Sequence, residues 1–261
     1  MNPQGGKKLL VGRQSMNDQK LQDFARRLSA QSDNSSDQTL IPAATVVLLR
    51  DGTEGIETLM LRKNSRIAFG GMWVFPGGRI DAEDGGDCDD MEHCAREAAS
   101  REAMEEAGLL VDSAAMHWFS HWTPPAVGNR RFQTWFFAAA APSGEVRIDE
   151  GEITESQWIA PASVLEKQRC AEVELVPPTY VTLHYLAKFA TAAEALFAMD
   201  AQEPRHYATR LGHSGDDLVA MWEGDAGYDS GQTDIPGPRH RLTMCTGGFR
   251  FDDSGHPFAT G

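Results

Sequence analysis

Cysteine is scarce. There are four in 261 residues, Cys88, Cys94, Cys170 and Cys245, and no two stand as Cys-x-x-Cys. At that density and chain length a disulfide scaffold is disfavoured, and the ligand spacing of a structural zinc site is missing. Free thiols are the reading that remains. Long apolar runs are missing too: no stretch approaches the roughly 20 residues a helix needs to cross a bilayer. Lys7 and Lys8 precede an apolar piece, Leu9-Leu10-Val11, too short for the core of a signal peptide. These absences point to a cytoplasmic protein with no membrane partner. Basic charge is in deficit: 24 Lys and Arg face 38 Asp and Glu, a formal net charge of −14. A nucleic acid polymer is therefore a poor partner, because its phosphates need a basic footprint. A small anionic substrate stays open, since a bound cation inverts the local field. No internal repeat is present. The apolar content, 41%, is that of an ordinary globular chain.

What is present concentrates between Phe75 and Leu109. Phe75-Pro76-Gly77-Gly78 is a turn in which proline fixes one backbone angle and the glycines permit others. Such a turn can bring a carbonyl close to an ion, or amides close to a phosphate. After an insert rich in Gly and Asp, Asp81 to Asp90, comes a helix predicted over Ala95 to Ala107 from its Ala, Glu, Met and Arg content. Gly108 is placed to end it as a left-handed cap, with Leu109 packing back. Glu102, Glu105 and Glu106 stand at i, i+3 and i+4, so they leave one face of that helix. Like charges at those spacings repel. Hard divalent cations take oxygen ligands, so the trio reads either as a solvated face or as a Mg²⁺ or Mn²⁺ site.

The order of these residues resembles the box of the Nudix hydrolases, Gly-x5-Glu-x7-Arg-Glu-U-x-Glu-Glu-x-Gly-U, with U apolar. Gly78 matches its first position, and Arg101, Glu102, Ala103, Glu105, Glu106, Gly108 and Leu109 match its close. The first acidic position is Asp84 instead of Glu, and the spacer to Arg101 is lengthened by Gly85 to Ser100. The resemblance implies an α/β Nudix fold, a mixed sheet sandwiched between helices, and hydrolysis of a diphosphate linkage in a small phosphorylated substrate. It implies Glu105, Glu106 and the Gly78 carbonyl as ligands of Mg²⁺ or Mn²⁺. Glu102 is implied as a third ligand or base, and Arg101 as the residue that orients the carboxylates. In the family the first acidic residue pairs with that arginine; Asp84, Glu92 and Glu97 are the candidates here.

Around the box, Ala43 to Arg50 reads as a buried strand and Glu57 to Arg62 as its return, closing on a basic cluster of Arg62, Lys63 and Arg66. That cluster is a solvated strand end or, through Arg62 and Arg66, a phosphate contact. Met72 to Phe75 reads as a short strand and Val111 to Ser120 as strand-like. Arg130-Arg131 open an apolar strand to Ala139 and can meet a substrate phosphate. The acidic loop Asp149 to Glu155 follows. The resemblance implies that such a loop lends a further ligand or base, with Glu152 as the candidate and Glu150 and Glu155 as competitors. Pro161 to Gln168 reads as a short helix and Tyr180 to Met199 as a longer packing helix.

The domain reading is a flexible arm over 1–39, a hydrolase domain over 40–200 and a C-terminal extension over 201–261. The extension carries strand-like pieces at Leu218–Trp222 and Arg239–Met244, and either packs on the domain or makes a homodimer contact. Asn17 to Leu28 in the arm has helical spacing. The layout looks most like the branch resembling peroxisomal acyl-coenzyme A diphosphatase: an expanded spacer, Arg130-Arg131-Phe132 before an aromatic strand, and Val176-Pro177-Pro178-Thr179 before a helix. That branch implies coenzyme A or acyl-coenzyme A esters as substrates. Nucleotide sugars, dinucleotides and NADH are the alternatives, as is a Nudix-like binding module without turnover. The family's coenzyme A motif is not met, since Arg66, Gly70 and Phe75 carry one residue too many before Phe75.

Overall fold

The computed structural model describes residues 40–65, 69–86, 89–126, 131–245 and 247–254. The expectations for residues 1–39, for Arg66 and for Arg130 fall outside these. Among the described residues twelve strands and four α-helices follow in chain order. β1 (Leu40–Gly52) and β2 (Gly55–Lys63) form a hairpin. β3 (Trp73–Val74) and β4 (Gly77–Arg79) lead into α1 (Met91–Ala107). β5 (His117–Thr123), β6 (Arg131–Ala140) and β7 (Ile153–Ile159) precede α2 (Pro161–Arg169), α3 (Pro177–Leu186) and α4 (Ala192–Asp200). β8 (Arg205–Ala208) then joins the main sheet. β9 (Arg210–Ser214), β10 (Asp217–Met221), β11 (Arg241–Cys245) and β12 (Gly248–Asp252) make a second, smaller sheet.

The main sheet is mixed, ordered β3-β2-β1-β6-β5-β8, with β4 paired to β1 and β7 to β2. β1 runs parallel to β6, and β5 parallel to β8. Strand alternation explains why it needs cover on both faces. Along β1, Ala44, Val46 and Leu48 enter one core with the α1 alanines, while Val47 and Leu49 enter the other. α1 lies on the first core through Ala95, Ala98, Ala99, Ala103 and Ala107, all inaccessible to solvent. A stripe of small residues lets the helix approach the sheet closely, and so places its Glu-rich edge beside β4.

The second core joins the two sheets. Leu218, Ala220, Trp222, Leu242 and Met244 belong to one buried cluster with Trp122, Phe136 and Tyr207. Trp122 stacks on Tyr207 at 3.8 Å, and Trp222 meets both rings edge-on. The C-terminal segment thus extends the main sheet through β8 and packs a sheet of its own against the same core. No helix among the described residues is long and apolar enough to cross a membrane.

Three local expectations change. α1 begins at Met91 rather than Ala95, because the Asp90 carboxylate caps it by accepting from Glu92 N at 3.0 Å. Val111 to Ser120 is not one strand: Asp112 caps a single 3₁₀ turn at Ser113–Ala115, and β5 starts after it. The helix expected over Tyr180 to Met199 is two, α3 and α4. Thr191 supplies the break, its hydroxyl accepting from Glu194 N at 3.2 Å to start a new helix. Gly108 does end α1 in the left-handed region, at φ 67°, and Leu109 N donates to Ala103 O behind it.

Candidate active site

The site forms where β4 crosses the flank of α1. β4 pairs with β1 in the register Ala44 to Gly78 and Thr45 to Gly77. Both glycines are there for closeness. A Cβ at Gly77 would lie 2.5 Å from Ala44 O, and one at Gly78 would lie 2.3 Å from Glu102 Oε1. Glu102 is therefore packed directly on the backbone of Gly78. The Gly77 amide donates to Glu106 Oε2 at 3.0 Å. Glu106 is 3% exposed and also ion-pairs with Lys63 through its other oxygen. Glu105, one turn along from Arg101, is the outward member of the trio, its side chain 58% exposed.

Arg101 ties the group together. Its guanidinium donates to Asp84 Oδ1 and Oδ2 at 2.9 and 3.0 Å, to Glu102 Oε1 at 2.9 Å, to Glu105 Oε2 at 3.0 Å and to Arg79 O at 2.9 Å. Five N–H groups in a rigid fork make this possible. Asp84, and neither Glu92 nor Glu97, is the acidic partner of the arginine. Glu92 pairs with Arg96, and Glu97 accepts from Ser113. Most of the lengthened spacer, Met91 to Ser100, belongs to α1, while the turn before it brings Asp84 back to the guanidinium.

Electrostatics separate the carboxylates. Burial raises the Glu106 carboxyl to about 7, the Lys63 ammonium and the Gly77 amide pulling against it. Burial likewise raises Glu102, opposed by Arg101. Burial would raise Asp84 too, but the Arg101 fork and the Asp81 amide outweigh it and hold the carboxyl low. Lys63 is opposed by burial but kept protonated by Glu106 and Glu152.

The surrounding cleft has a volume of about 780 Å³. Glu102, Glu105, Glu106, Gly78, Arg101, Glu152 and Arg131 all line it. Arg62 does not: it pairs with Glu155 at 2.5 Å, away from the cleft, because neighbouring residues on a strand face opposite ways. Lys63, its neighbour, faces in. Arg131 lines the cleft but holds the carbonyls of Pro124 and Pro125 at 3.0 Å each, so it anchors that loop. In the acidic loop, the Asp149 carboxylate caps the amides of Glu152 and Ile153, which presents Glu152 3.4 Å from Lys63 Nζ. Lys63 and Asp149 were not singled out as site residues. Lys63 was visible only as part of a basic cluster, and its inward direction depends on the β2 register.

The donors suit a hard divalent cation in kind. Glu102, Glu106 and the Gly78 backbone meet at one bend, and the Glu106 carboxylate spends two of its several acceptor positions on Lys63 and Gly77. Among the described residues no three His, Cys, Asp or Glu side chains already close on one point.

The NUDIX domain model matches residues 39–177, more than half of the 261. A NUDIX hydrolase from Alicyclobacillus acidocaldarius has a similar structure, with a TM-score of 0.58 at 22% identity over 64% of this chain and 100% of that one. The NUDIX domain of Shewanella oneidensis NrtR, solved with ADP ribose, scores 0.44 at 17% identity, over 61% and 94%. An Ap4A hydrolase from C. elegans scores 0.41 at 18%, over 61% and 98%. No curated protein matches the chain.

Proposed function

From the premise that the chain belongs to the NUDIX domain family and is a hydrolase of pyrophosphate bonds, we propose that it cleaves the diphosphate of coenzyme A or its acyl esters. One observation carries the choice of site: Glu102 and Glu106 converge on the Gly77-Gly78 bend at the floor of the cleft. The choice of substrate is supported by the two segments that resemble the acyl-coenzyme A branch. Arg131-Phe132 and Val176 to Thr179 both line the same cleft.

Glu102, Glu105, Glu106 and the Gly78 carbonyl would hold Mg²⁺ or Mn²⁺. Such an ion supplies Lewis acidity that neutralises phosphate charge and makes water a better nucleophile at neutral pH. The protein's own groups do the rest. Arg101 spaces Glu102 and Glu105 and is itself fixed by Asp84. Lys63 keeps positive charge beside Glu106 and Glu152. Glu152, 60% exposed, or Glu102 takes the proton from the attacking water. Glu152 stands at the open side of the cleft, within reach of solvent to pass the proton on, whereas Glu102 lies on the floor with its side chain 14% exposed.

A panel of coenzyme A, acyl-coenzyme A, a nucleotide sugar, a dinucleoside polyphosphate and NADH, assayed with Mg²⁺ or Mn²⁺, tests this reading. Release of a phosphopantetheine product from the first two, at the highest kcat/KM, is the expected result. Preferred cleavage of a nucleotide sugar, dinucleotide or NADH would replace the substrate. Binding without product anywhere would mark a non-catalytic module.

A further inference from the structure

The cleft is larger than a diphosphate requires. Its roughly 780 Å³ lies in the range of sites that enclose a whole ligand of drug size. Beyond the carboxylates its lining changes character, with Phe136, Val176, Pro177, Leu211, Ala220 and Met244 bringing no charge. Three of these come from the C-terminal sheet, outside the matched residues 39–177. Their shared direction follows from register. Leu211 pairs with Ala220 across β9 and β10, and Leu218, two residues from Ala220, pairs with Met244 across β10 and β11. All four therefore share one face of that sheet. It is the face packed on the main core.

Ala220 is 1% and Met244 4% exposed although both line the cleft, and Leu211 is half-buried, so these walls leave little open space between them. A narrow apolar passage suits a flexible chain better than a ring system, and Met244 can adjust its shape to one. We propose that this is a subsite for an aliphatic chain carried by the diphosphate substrate. Leu211 and Met244 form its wall, and the C-terminal sheet sets which chains fit. The proposal rests on the diphosphate reading above. It adds that residues outside the catalytic box select the substrate.

Ethyl, hexyl and decyl diphosphate, titrated into the full chain by calorimetry, test it. Apolar transfer predicts binding about threefold to fourfold tighter for each methylene accommodated, until the chain fills the passage. Leu211→Asp should abolish the gain from hexyl to decyl and leave ethyl diphosphate binding as in wild type. Leu211→Met should restore the gain, which guards against a variant that only misfolds, and the melting temperature of each variant is read alongside. Affinity that does not change with chain length overturns the subsite and leaves the diphosphate reading intact. So does a chain-length gain that persists in a folded Leu211→Asp. Decyl binding that depends on Leu211 while ethyl diphosphate fails to bind would support the subsite and count against the diphosphate reading.

Discussion

Glu106 with Lys63 on the cleft floor, and Asp225 with Arg241 beside the C-terminal sheet, are both carboxylate–cation pairs with almost no carboxylate surface, 3% and 0% of the side chain. Asp225 accepts from two nitrogens of the Arg241 fork, at 2.6 and 2.5 Å, and from the amides of Gly227 and His240 at 2.8 and 2.9 Å. Burial raises its pKa, but those donors outweigh burial and hold it low. Glu106 has one ammonium and one amide, and burial wins, raising it to about 7. Both lack exposed surface, but Glu106 has more protein packed around it and fewer donors, and the two differences together separate a carboxylate saturated by its own protein from one left under-served. The under-served one lines the cleft.

The largest expected effect tests the saturated pair. Asp225→Ala leaves Arg241 buried without its counter-charge and should destabilise the protein by about 3–5 kcal/mol in denaturant unfolding. Loss of under 1 kcal/mol would show that the second pair is not structural and the contrast false.

A second test uses pH in the presence of a chelator. The folded pKa of Glu106, about 7, lies above the ordinary 4.5, so its burial penalty is absent below pH 4.5, grows between 4.5 and 7, and is full above 7. Stability should therefore rise by roughly 3 kcal/mol from this group as pH falls from 8 towards 4.5. The gain should disappear in Glu106→Gln. Asp225 has the opposite sign: its contribution holds above pH 3.8 and is lost only below it. Identical stability profiles for wild type and Glu106→Gln between pH 5 and 8 would contradict the assignment.

A smaller effect is expected from Arg101→Lys. An ammonium cannot serve Asp84 twice and also Glu102, Glu105 and Arg79 O. Residues that orient ligand carboxylates are typically worth 10- to 100-fold, so kcat/KM should fall by about that factor. Unchanged kinetics would mean the carboxylates position themselves.

The box was legible because its parts sit on one helix and one adjoining turn, where spacing in sequence is spacing in space. Gly108, Leu109 and the shared face of Glu102, Glu105 and Glu106 follow from helix geometry alone. Which residue takes the place of the box's first acidic residue beside Arg101 was open between Asp84, Glu92 and Glu97, because only the folded turn shows which one comes back to the guanidinium. Lys63 and Arg62 were indistinguishable without knowing which face of β2 meets α1. The break between α3 and α4 had a local signal, Thr191-x-x-Glu194, inside a run whose apolar spacing continued through it. The C-terminal sheet was harder. Its strand pieces could be read, but the pairing of Leu211 with Ala220, and the face it turns to the cleft, rest on long-range register.

Turnover of a diphosphate substrate by Glu106→Gln, with Mg²⁺ or Mn²⁺ and with the melting temperature taken on the same sample, addresses the central claim most directly. The under-served carboxylate predicts turnover lower by about 100- to 1,000-fold, the scale for losing one group that stabilises transition-state charge, with the melting temperature held or raised. Turnover like wild type in that folded variant would contradict it.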